Sequence, residues 1–205
     1  SSPRHFVSVG VLIVISTLIL NWLLNAALPL PVKASIQAIN IDWLFGLHVL
    51  LIAFLFSLVV VFMIYALVVF RRREGDDSDG EHFEGNTRLE IAWTSAPMIF
   101  VIIFSVLGIT SLNSVTAVQA DEIPIKIVAR QWQFLFYYGD SEHEPMETGG
   151  TPRTELVLAV DQPYVMQMRS EDVMHAFWVP AFRVKQDIIP GKRVEALHDD
   201  GHGED

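Results

Sequence analysis

The sequence contains no cysteine among its 205 residues. Disulfides, iron–sulfur ligation and a cysteine-based zinc ribbon are therefore excluded within these residues. Basic residues are also few, with 14 Lys and Arg against 24 Asp and Glu, which gives a formal net charge of −10. Because proteins that bind nucleic acid without sequence preference need basic surface to displace counterions, this balance argues against a nucleic-acid partner. An acidic surface instead favours a cationic partner.

Apolar residues are abundant and unevenly placed. They make up 51% of the chain, and the mean hydropathy is +0.37, which is high for a soluble globular protein. Three apolar runs lie between Phe6 and Val118, whereas Asp121 to Asp205 has the mixed polarity of a domain in water. The sequence therefore predicts one water-exposed domain on a helical membrane anchor.

The first run, Phe6 to Leu28, can cross a hydrocarbon core of about 30 Å at about 1.5 Å per residue. A secretory signal is the alternative, because Arg4 precedes the run and small residues follow near Ala26 and Ala34. The apolar region of a signal peptide has only about 7 to 15 residues. We therefore favour a retained membrane helix.

The second run, Trp43 to Phe70, carries no formal charge and is followed by Arg71, Arg72 and Arg73. Short loops rich in Arg and Lys stay on the cytoplasmic side of a membrane. We therefore expect this end of the second helix to face the cytoplasm and Trp43 to start outside.

A loop is predicted from Glu74 to Arg88, where Gly, Asp and Ser residues typical of turns are frequent. The third run, Glu90 to Leu112, contains Pro97, which a membrane helix tolerates when neighbouring groups satisfy the freed carbonyl. This run returns the chain to the outside. Arg4 on the cytoplasmic side of the first run fits the same topology.

From Ile123 onward the pattern changes to short β-rich stretches punctuated by glycine and proline. These stretches are Ile125–Val128, Gln131–Tyr138, Glu155–Val160 and Tyr164–Met168. They predict an all-β sandwich or barrel. His198 to Asp205 has no strand pattern, and its acidic, glycine-rich composition is typical of disorder. The predicted division is residues 1–41 for an N-terminal helix and outer loop, 42–118 for a helical hairpin, and 119–205 for the outer domain.

A resemblance to a known family rests on the helical hairpin and on four segments in a fixed order. The segments are Leu89–Thr94 before the span with Pro97, Ala129–Trp132, Asp172–Pro180 and Lys185–Gly191. Together they closely resemble cytochrome c oxidase subunit II over about Asp42 to Val194. The resemblance implies a cupredoxin-like β-barrel with a two-copper centre, CuA, and a partner subunit I that holds haem and CuB.

The resemblance also implies a function and a location. The chain is expected to accept electrons from a soluble donor, cytochrome c or a similar carrier, and to pass them through CuA to haem in subunit I for oxygen reduction. The enzyme as a whole is expected to pump protons. Expected contacts are other oxidase subunits and membrane lipid, in a bacterial-type plasma membrane with several spans and the C-terminal domain outside.

Four residues of the outer domain acquire roles through this resemblance. His175 resembles the first histidine ligand of CuA, and imidazole is a good copper ligand, although a lone histidine is more often a structural residue. Trp132 matches the aromatic residue at which a docked donor delivers its electron, whereas its own context, an aromatic cluster on an expected strand, favours core packing. Glu171 and Asp172 match the donor-docking face, with a charged turn as the alternative.

Three further residues match positions next to subunit I. Glu90 resembles the acidic residue at the inner mouth of a proton pathway that subunits I and II share, and stabilisation of the helix start through the helix dipole is the alternative. Lys185 and Asp187 match positions that lie against subunit I. A surface turn that ends at Pro190–Gly191 would explain these two residues equally.

The other copper ligands of the family come from a later loop with two cysteines, and no such loop occurs in these residues. Either the chain is truncated or incompletely represented after about Val194, or it belongs to the quinol-oxidising branch without CuA. A non-redox assembly subunit is a third hypothesis. The quinol branch typically replaces the positions occupied here by His175 and Lys185–Asp187, so we favour truncation. A barrel without its last strands exposes an apolar edge, so we expect it to be incomplete or covered by partners.

Overall fold

A computed structural model describes residues 3–72, 74–75, 82, 84–117, 121–138 and 152–199, with the backbone alone for 195–199. Helices come first and strands follow, which confirms the predicted fold class. The elements are α1 (Pro3–Ala27), α2 (Ile36–Val69), α3 (Thr87–Val115), β1 (Ile123–Arg130), β2 (Gln133–Tyr138), β3 (Tyr164–Ser170), β4 (His175–Val179), a 3₁₀ turn (Pro180–Phe182), β5 (Val184–Ile188) and β6 (Val194–Asp199).

All three helices are long and apolar enough to cross a membrane, with 25, 34 and 29 residues. A span needs roughly 20 apolar residues, so each helix is longer than a span. α2 begins at Ile36, seven residues before the predicted start of its run at Trp43. Arg73, residues 76–81 and residue 83 of the predicted cytoplasmic loop lie outside the described residues. The described helices confirm that the three predicted apolar runs are helical.

The chain divides into two compact units, and the first consists of Ser1–Leu30 and Leu44–Val106. In this unit α1 buries Val9 and Ile13, and His5 Nδ1 lies 2.7 Å from the Tyr65 hydroxyl of α2. Such interhelical hydrogen bonds support association where water is absent. By contrast, α3 buries none of its residues, so its apolar surface is available to lipid or other subunits.

The second unit consists of Pro31–Trp43 and Leu107–Asp205. Its four-stranded sheet has the order β2-β1-β3-β6. β1 pairs antiparallel with β2 and parallel with β3, and β3 pairs antiparallel with β6. Because β1 and β3 run in parallel, their carboxyl ends meet at one edge of the sheet. β4 and β5 form a separate antiparallel pair.

The core of the outer domain lies between these two sheets. The side chains that fill it alternate along the strands, as one face of a sheet requires. β1 and β3 contribute fully buried aliphatic side chains, and one residue each from β4 and β5 packs against them: Ile125, Ile127, Met166, Met168, Phe177 and Ile188. The arrangement is a two-layer all-β domain.

Two strand predictions need correction. No strand forms over Glu155–Val160, because side-chain hydroxyls take up backbone N–H groups of this segment. The Val157 N–H donates to the Tyr138 hydroxyl at 2.7 Å, and the Ala159 N–H donates to the Tyr164 hydroxyl at 3.0 Å. The second correction concerns β2, which begins at Gln133 and not at Gln131.

The predicted disorder from His198 is wrong for the first residues of that segment. β6 reaches Asp199 and pairs with β3, with His198 opposite Val165. The edge of β3 that faces away from β1 has backbone donors and acceptors that need partners. Residues 194–199 pair with this edge although their sequence has only a weak strand pattern. Residues 200–205, including His202, lie outside the described residues.

Candidate functional site

Trp132 lies in the two-residue turn that joins β1 to β2, with Arg130 and Gln133 paired on either side. Its side chain is 91% exposed. The core-packing alternative for this residue is therefore wrong. A large aromatic ring is instead presented to solvent at the end of a short hairpin.

Asp172 lies in the connection between β3 and β4 and contacts this turn directly. The backbone N–H of Gln131 donates to Asp172 Oδ2 at 2.7 Å. Asp172 Oδ1 accepts from the backbone N–H of Val173 at 2.7 Å and lies 2.7 Å from His175 Nε2. One carboxylate thus joins the Trp132 turn to the start of β4.

These hydrogen bonds favour the ionised form of Asp172. The His175 side chain and the Gln131 backbone, in that order of effect, hold the pKa of the Asp172 carboxyl well below its usual range. Because the carboxylate can only accept, His175 Nε2 must donate in this contact. In the neutral ring, the lone pair then lies on Nδ1.

His175 is the first residue of β4 and pairs with Ile188 of β5. Its side chain is 16% exposed, and its ring meets Phe134 of β2 edge-on, with centroids 6.1 Å apart. The histidine is therefore held from two sides, by a carboxylate and by an aromatic ring of the core.

The residues of this chain do not by themselves fit a two-copper centre. The sequence has no thiol, and among the described residues no group of three His, Cys, Asp or Glu side chains lies close enough to hold a metal. His175 supplies one imidazole nitrogen with an available lone pair. The expected CuA site is thus represented here by a single donor.

Glu171 differs from its neighbour Asp172 in its surroundings. Its carboxylate lies 3.3 Å from the guanidinium of Arg169, and the two side chains are 41% and 36% exposed. Its backbone N–H donates to the Ala129 carbonyl at 3.0 Å. Glu171 therefore presents an accessible negative charge beside the Trp132 turn.

Glu90 lies in the first turn of α3, in the first compact unit. The side chain of Asn86 accepts from the backbone N–H groups of Arg88 and Leu89 at 3.1 and 3.2 Å, which is the N-cap arrangement. Asn86 therefore supplies the capping hydrogen bonds, and the Glu90 side chain is exposed.

Lys185 and Asp187 lie on β5 and not in a surface turn, so the turn alternative is wrong. They pair with Trp178 and Ala176 of β4. Lys185 Nζ lies 5.6 Å from the centre of the exposed Trp178 ring. The site thus gathers Trp132, Glu171, Asp172 and His175, while Lys185 and Asp187 occupy the neighbouring strand pair.

Sequence reasoning missed Arg183, the residue between the 3₁₀ turn and β5. Its guanidinium contacts Asp42 of α2 and the carbonyl oxygens of Pro31 and Pro180. Ser35 and Ala34 also reach this turn, through bonds to the Phe182 and Ala181 carbonyls. Because Arg183 and Asp42 are separated by 141 residues, no local pattern could have joined them.

Comparison with known proteins gives matches over both parts of the chain. Residues 20–113 match the family model of the cytochrome c oxidase subunit II transmembrane domain. Residues 123–198 match the family model of the cytochrome c oxidase subunit II periplasmic domain. The two models together cover α2, nearly all of α3 and the outer domain as far as residue 198, while most of α1 lies outside the match.

Individual relatives carry the same description. Cytochrome c oxidase subunit 2 of Synechocystis sp. is 27% identical over 210 residues, which is 80% of this chain and 61% of the relative. The protein of the same name from Alkalihalophilus pseudofirmus is 35% identical over 147 residues, which is 65% of this chain and 39% of the relative. The chain therefore spans less than two thirds of the length of these relatives.

A solved structure also matches. The periplasmic domain of subunit II of cytochrome oxidase from Bradyrhizobium japonicum is 29% identical, with 41% of this chain and 67% of that chain covered and a TM-score of 0.33.

Proposed function

Since this chain belongs to the cytochrome c oxidase subunit II family, we propose that it is the electron-accepting subunit of a terminal oxidase. In this proposal a soluble donor, cytochrome c or a similar carrier, delivers electrons at Trp132 for oxygen reduction in subunit I. The observation that carries the proposal is the 91% exposure of Trp132 on a short turn, beside Asp172 and His175.

The exposed ring of Trp132 suits contact with a partner. Tryptophan is enriched among the interface residues that contribute most to binding, and Trp132 is 91% exposed. A flat ring that projects from a two-residue turn lets a donor approach its face without steric hindrance. Trp132 therefore suits both contact with a donor and electronic coupling to it.

Charge supports a cationic donor. The chain carries a net charge of −10, and Glu171 places an accessible carboxylate near the Trp132 turn. Complementary charge steers association and orients the partner more than it adds affinity. We assign donor docking to Glu171 and Asp172, both of which are exposed.

Copper belongs to the proposal for the intact subunit only. His175 is the one residue of this chain that we assign as a CuA ligand, and the other ligands are not among these residues. When bound, the copper centre supplies electron transfer. The part that this chain contributes is to hold the His175 ring between Asp172 and Phe134.

The remaining roles concern subunit I, which we expect to hold haem and CuB. We assign Glu90 to proton uptake at the cytoplasmic side and Lys185 and Asp187 to contact with subunit I. Proton pumping by the complex belongs to the same proposal. The exposed apolar surfaces of α1–α3 suit contact with lipid and other subunits in a bacterial-type plasma membrane, with residues 119–205 outside.

The test uses the intact oxidase with full-length subunit II and the variants Trp132→Ala and Trp132→Phe. Loss of a tryptophan at an interface typically costs about tenfold or more, so kcat/KM for cytochrome c should fall about tenfold in Trp132→Ala. Phe should retain part of the rate. Oxygen reduction by chemically pre-reduced enzyme should not change, because it bypasses the donor.

The control is Val160→Ala, which removes a 66% exposed apolar side chain of the same domain and should leave donor turnover unchanged. Unchanged donor turnover in Trp132→Ala would overturn the proposed role. Turnover with quinol, together with no mixed-valence copper signal by electron paramagnetic resonance in a copper-replete preparation, would assign the chain to the quinol-oxidising branch.

A further inference from the structure

We propose that Asp172 is a positioning residue, whose carboxylate holds the Trp132 turn and the His175 ring in place in addition to carrying charge on the donor face. This inference deepens the proposed function, because the position of Trp132 matters to turnover only if a donor uses that ring. It separates two neighbouring acids, Glu171 and Asp172, that the sequence places in a single role.

The Asp172 carboxylate forms most of its hydrogen bonds within its own domain. Oδ2 accepts from the Gln131 backbone N–H at 2.7 Å, and Oδ1 faces the Val173 N–H and His175 Nε2, each at 2.7 Å. A carboxylate has about four acceptor positions. Three donors of the same domain therefore fix the position of this carboxylate, although its side chain is still 29% exposed.

The parallel pairing of β1 and β3 brings Asp172 next to Gln131. β1 and β3 are parallel, with Ala129 opposite Ser170, so the residues that follow both strands emerge at the same edge of the sheet. The Glu171 N–H continues this pairing by donating to the Ala129 carbonyl at 3.0 Å. Asp172 then comes next and receives the Gln131 N–H, which directly precedes Trp132.

The Asp172 carboxylate contacts both the Trp132 turn and the His175 ring. Through Oδ2 it holds the backbone before Trp132, and through Oδ1 it holds the His175 ring. Hydrogen bonds to an ionised acceptor are shorter and stronger than neutral ones. The two functional side chains are thereby set relative to one another by a single side chain.

Glu171 provides the matched comparison on the adjacent position. Within the described part of the chain its carboxylate bonds to Arg169 at 3.3 Å, and both side chains are more than a third exposed. Exposed pairs of this kind contribute little to stability, but they set the surface potential that a charged partner meets. Neutralising Glu171 should therefore alter docking and leave the turn intact.

The test compares Asp172→Asn, Asp172→Ala and Glu171→Gln in the intact oxidase. Asparagine has nearly the shape of aspartate but keeps one acceptor oxygen. That oxygen can accept from the Gln131 N–H or from the Val173 N–H and His175, but it cannot accept on both sides. We measure hydrogen exchange of the peptide that contains Gln131 and Trp132, together with KM, kcat and their salt dependence for cytochrome c.

We expect exchange at the Gln131 amide to rise about tenfold in Asp172→Ala, since a hydrogen bond to a charged group is lost, and by a smaller factor in Asp172→Asn. In both variants kcat should fall severalfold, which the loss of a docking charge alone would not produce. In Glu171→Gln, exchange should stay unchanged, while KM rises and its salt dependence weakens.

The inference is overturned if Asp172→Asn behaves like Glu171→Gln, with unchanged exchange, a higher KM and a weaker salt dependence. It is equally overturned if the Gln131 amide of the wild type exchanges at the rate of an unprotected amide, a measurement that needs no variant. If Trp132→Ala leaves turnover unchanged, the proposed function fails, but the exchange data still decide whether Asp172 holds the turn.

Discussion

Arg183 and Asp42 form a two-point ion pair across 141 residues of sequence. Nε of Arg183 lies 2.7 Å from Asp42 Oδ1, and Nη2 lies 3.0 Å from Oδ2. The two side chains are only 8% and 17% exposed. The same guanidinium also donates to the carbonyl oxygens of Pro31 and Pro180. One arginine therefore fastens the segment before α2 and the start of α2 to the 3₁₀ turn of the outer domain.

Removal of one member of this pair should destabilise the outer domain. A buried charge that loses its partner costs about 3–5 kcal/mol, so Asp42→Asn and Arg183→Ala should each lower the free energy of unfolding by about 3 kcal/mol. A urea titration in detergent, monitored by hydrogen exchange of the peptide that contains β4 and β5, measures this loss of free energy. Glu171→Gln breaks an exposed pair and should cost less than about 1 kcal/mol. Equal losses in all three variants would contradict the assigned strength.

The core between the two sheets should be sensitive to cavity formation. Ile127 is fully buried in the core cluster, and Ile→Ala changes in cores cost about 2–5 kcal/mol. Ile127→Ala should therefore lower the free energy of unfolding by that amount in the same titration. Val160→Ala, at a position that is 66% exposed, should change it by about 0.5 kcal/mol or less. A loss below about 1 kcal/mol for Ile127→Ala would argue against this packing.

Variants of Glu90 and Asn86 should distinguish a role in proton uptake from a role in helix capping. Asn86 makes the capping hydrogen bonds, so Asn86→Ala should destabilise the start of α3 by about 1 kcal/mol and speed amide exchange there. Glu90→Gln should leave that exchange unchanged and slow steady-state oxygen reduction severalfold, with the same KM for cytochrome c. Unchanged turnover in Glu90→Gln would remove Glu90 from the proton pathway.

Lys185 and Asp187 should contribute to the association with subunit I. Both lie exposed on β5, so their charges are available to a neighbouring subunit. Lys185→Met and Asp187→Asn should each lower the fraction of subunit I that copurifies at low ionic strength. The difference from the wild type should shrink as ionic strength rises, because salt screens the charges that the wild type keeps. Lys192→Met, an exposed lysine outside β5, serves as the control. Equal recovery for all three variants would place the subunit contact elsewhere.

The helices could be predicted from the sequence because the membrane imposes a simple requirement on length and polarity. Each apolar run exceeds the roughly 20 residues of a span. The ends of α1 and α3 lie within three residues of their runs, whereas α2 begins seven residues before its run. β1 and β3 were predicted for a similar reason, since Ile125–Val128 and Tyr164–Met168 combine β-branched or long apolar residues with flanking turn residues.

The turn at Trp132 could not be predicted in the same way. Arg130-Gln131-Trp132-Gln133 contains no Gly, Pro, Asn or Asp, the residues that usually mark a turn, and its aromatic neighbours favour a strand. The contact of Asp172 with Gln131 depends on the parallel pairing of β1 and β3 across 41 residues. Long-range pairing of this kind leaves no local pattern, so the relation between the site residues needed the fold.

The length of the β1–β2 turn restricts how this site can vary. Only Gln131 and Trp132 separate the paired residues Arg130 and Gln133, and Phe134 and Phe136 beyond them pack on the core. Since neighbouring side chains on a strand face opposite ways, a single inserted residue would shift the register of β2 and turn both phenylalanines away from the core. Substitution can therefore change the exposed ring, whereas insertions and deletions in this turn should be poorly tolerated by the domain as a whole.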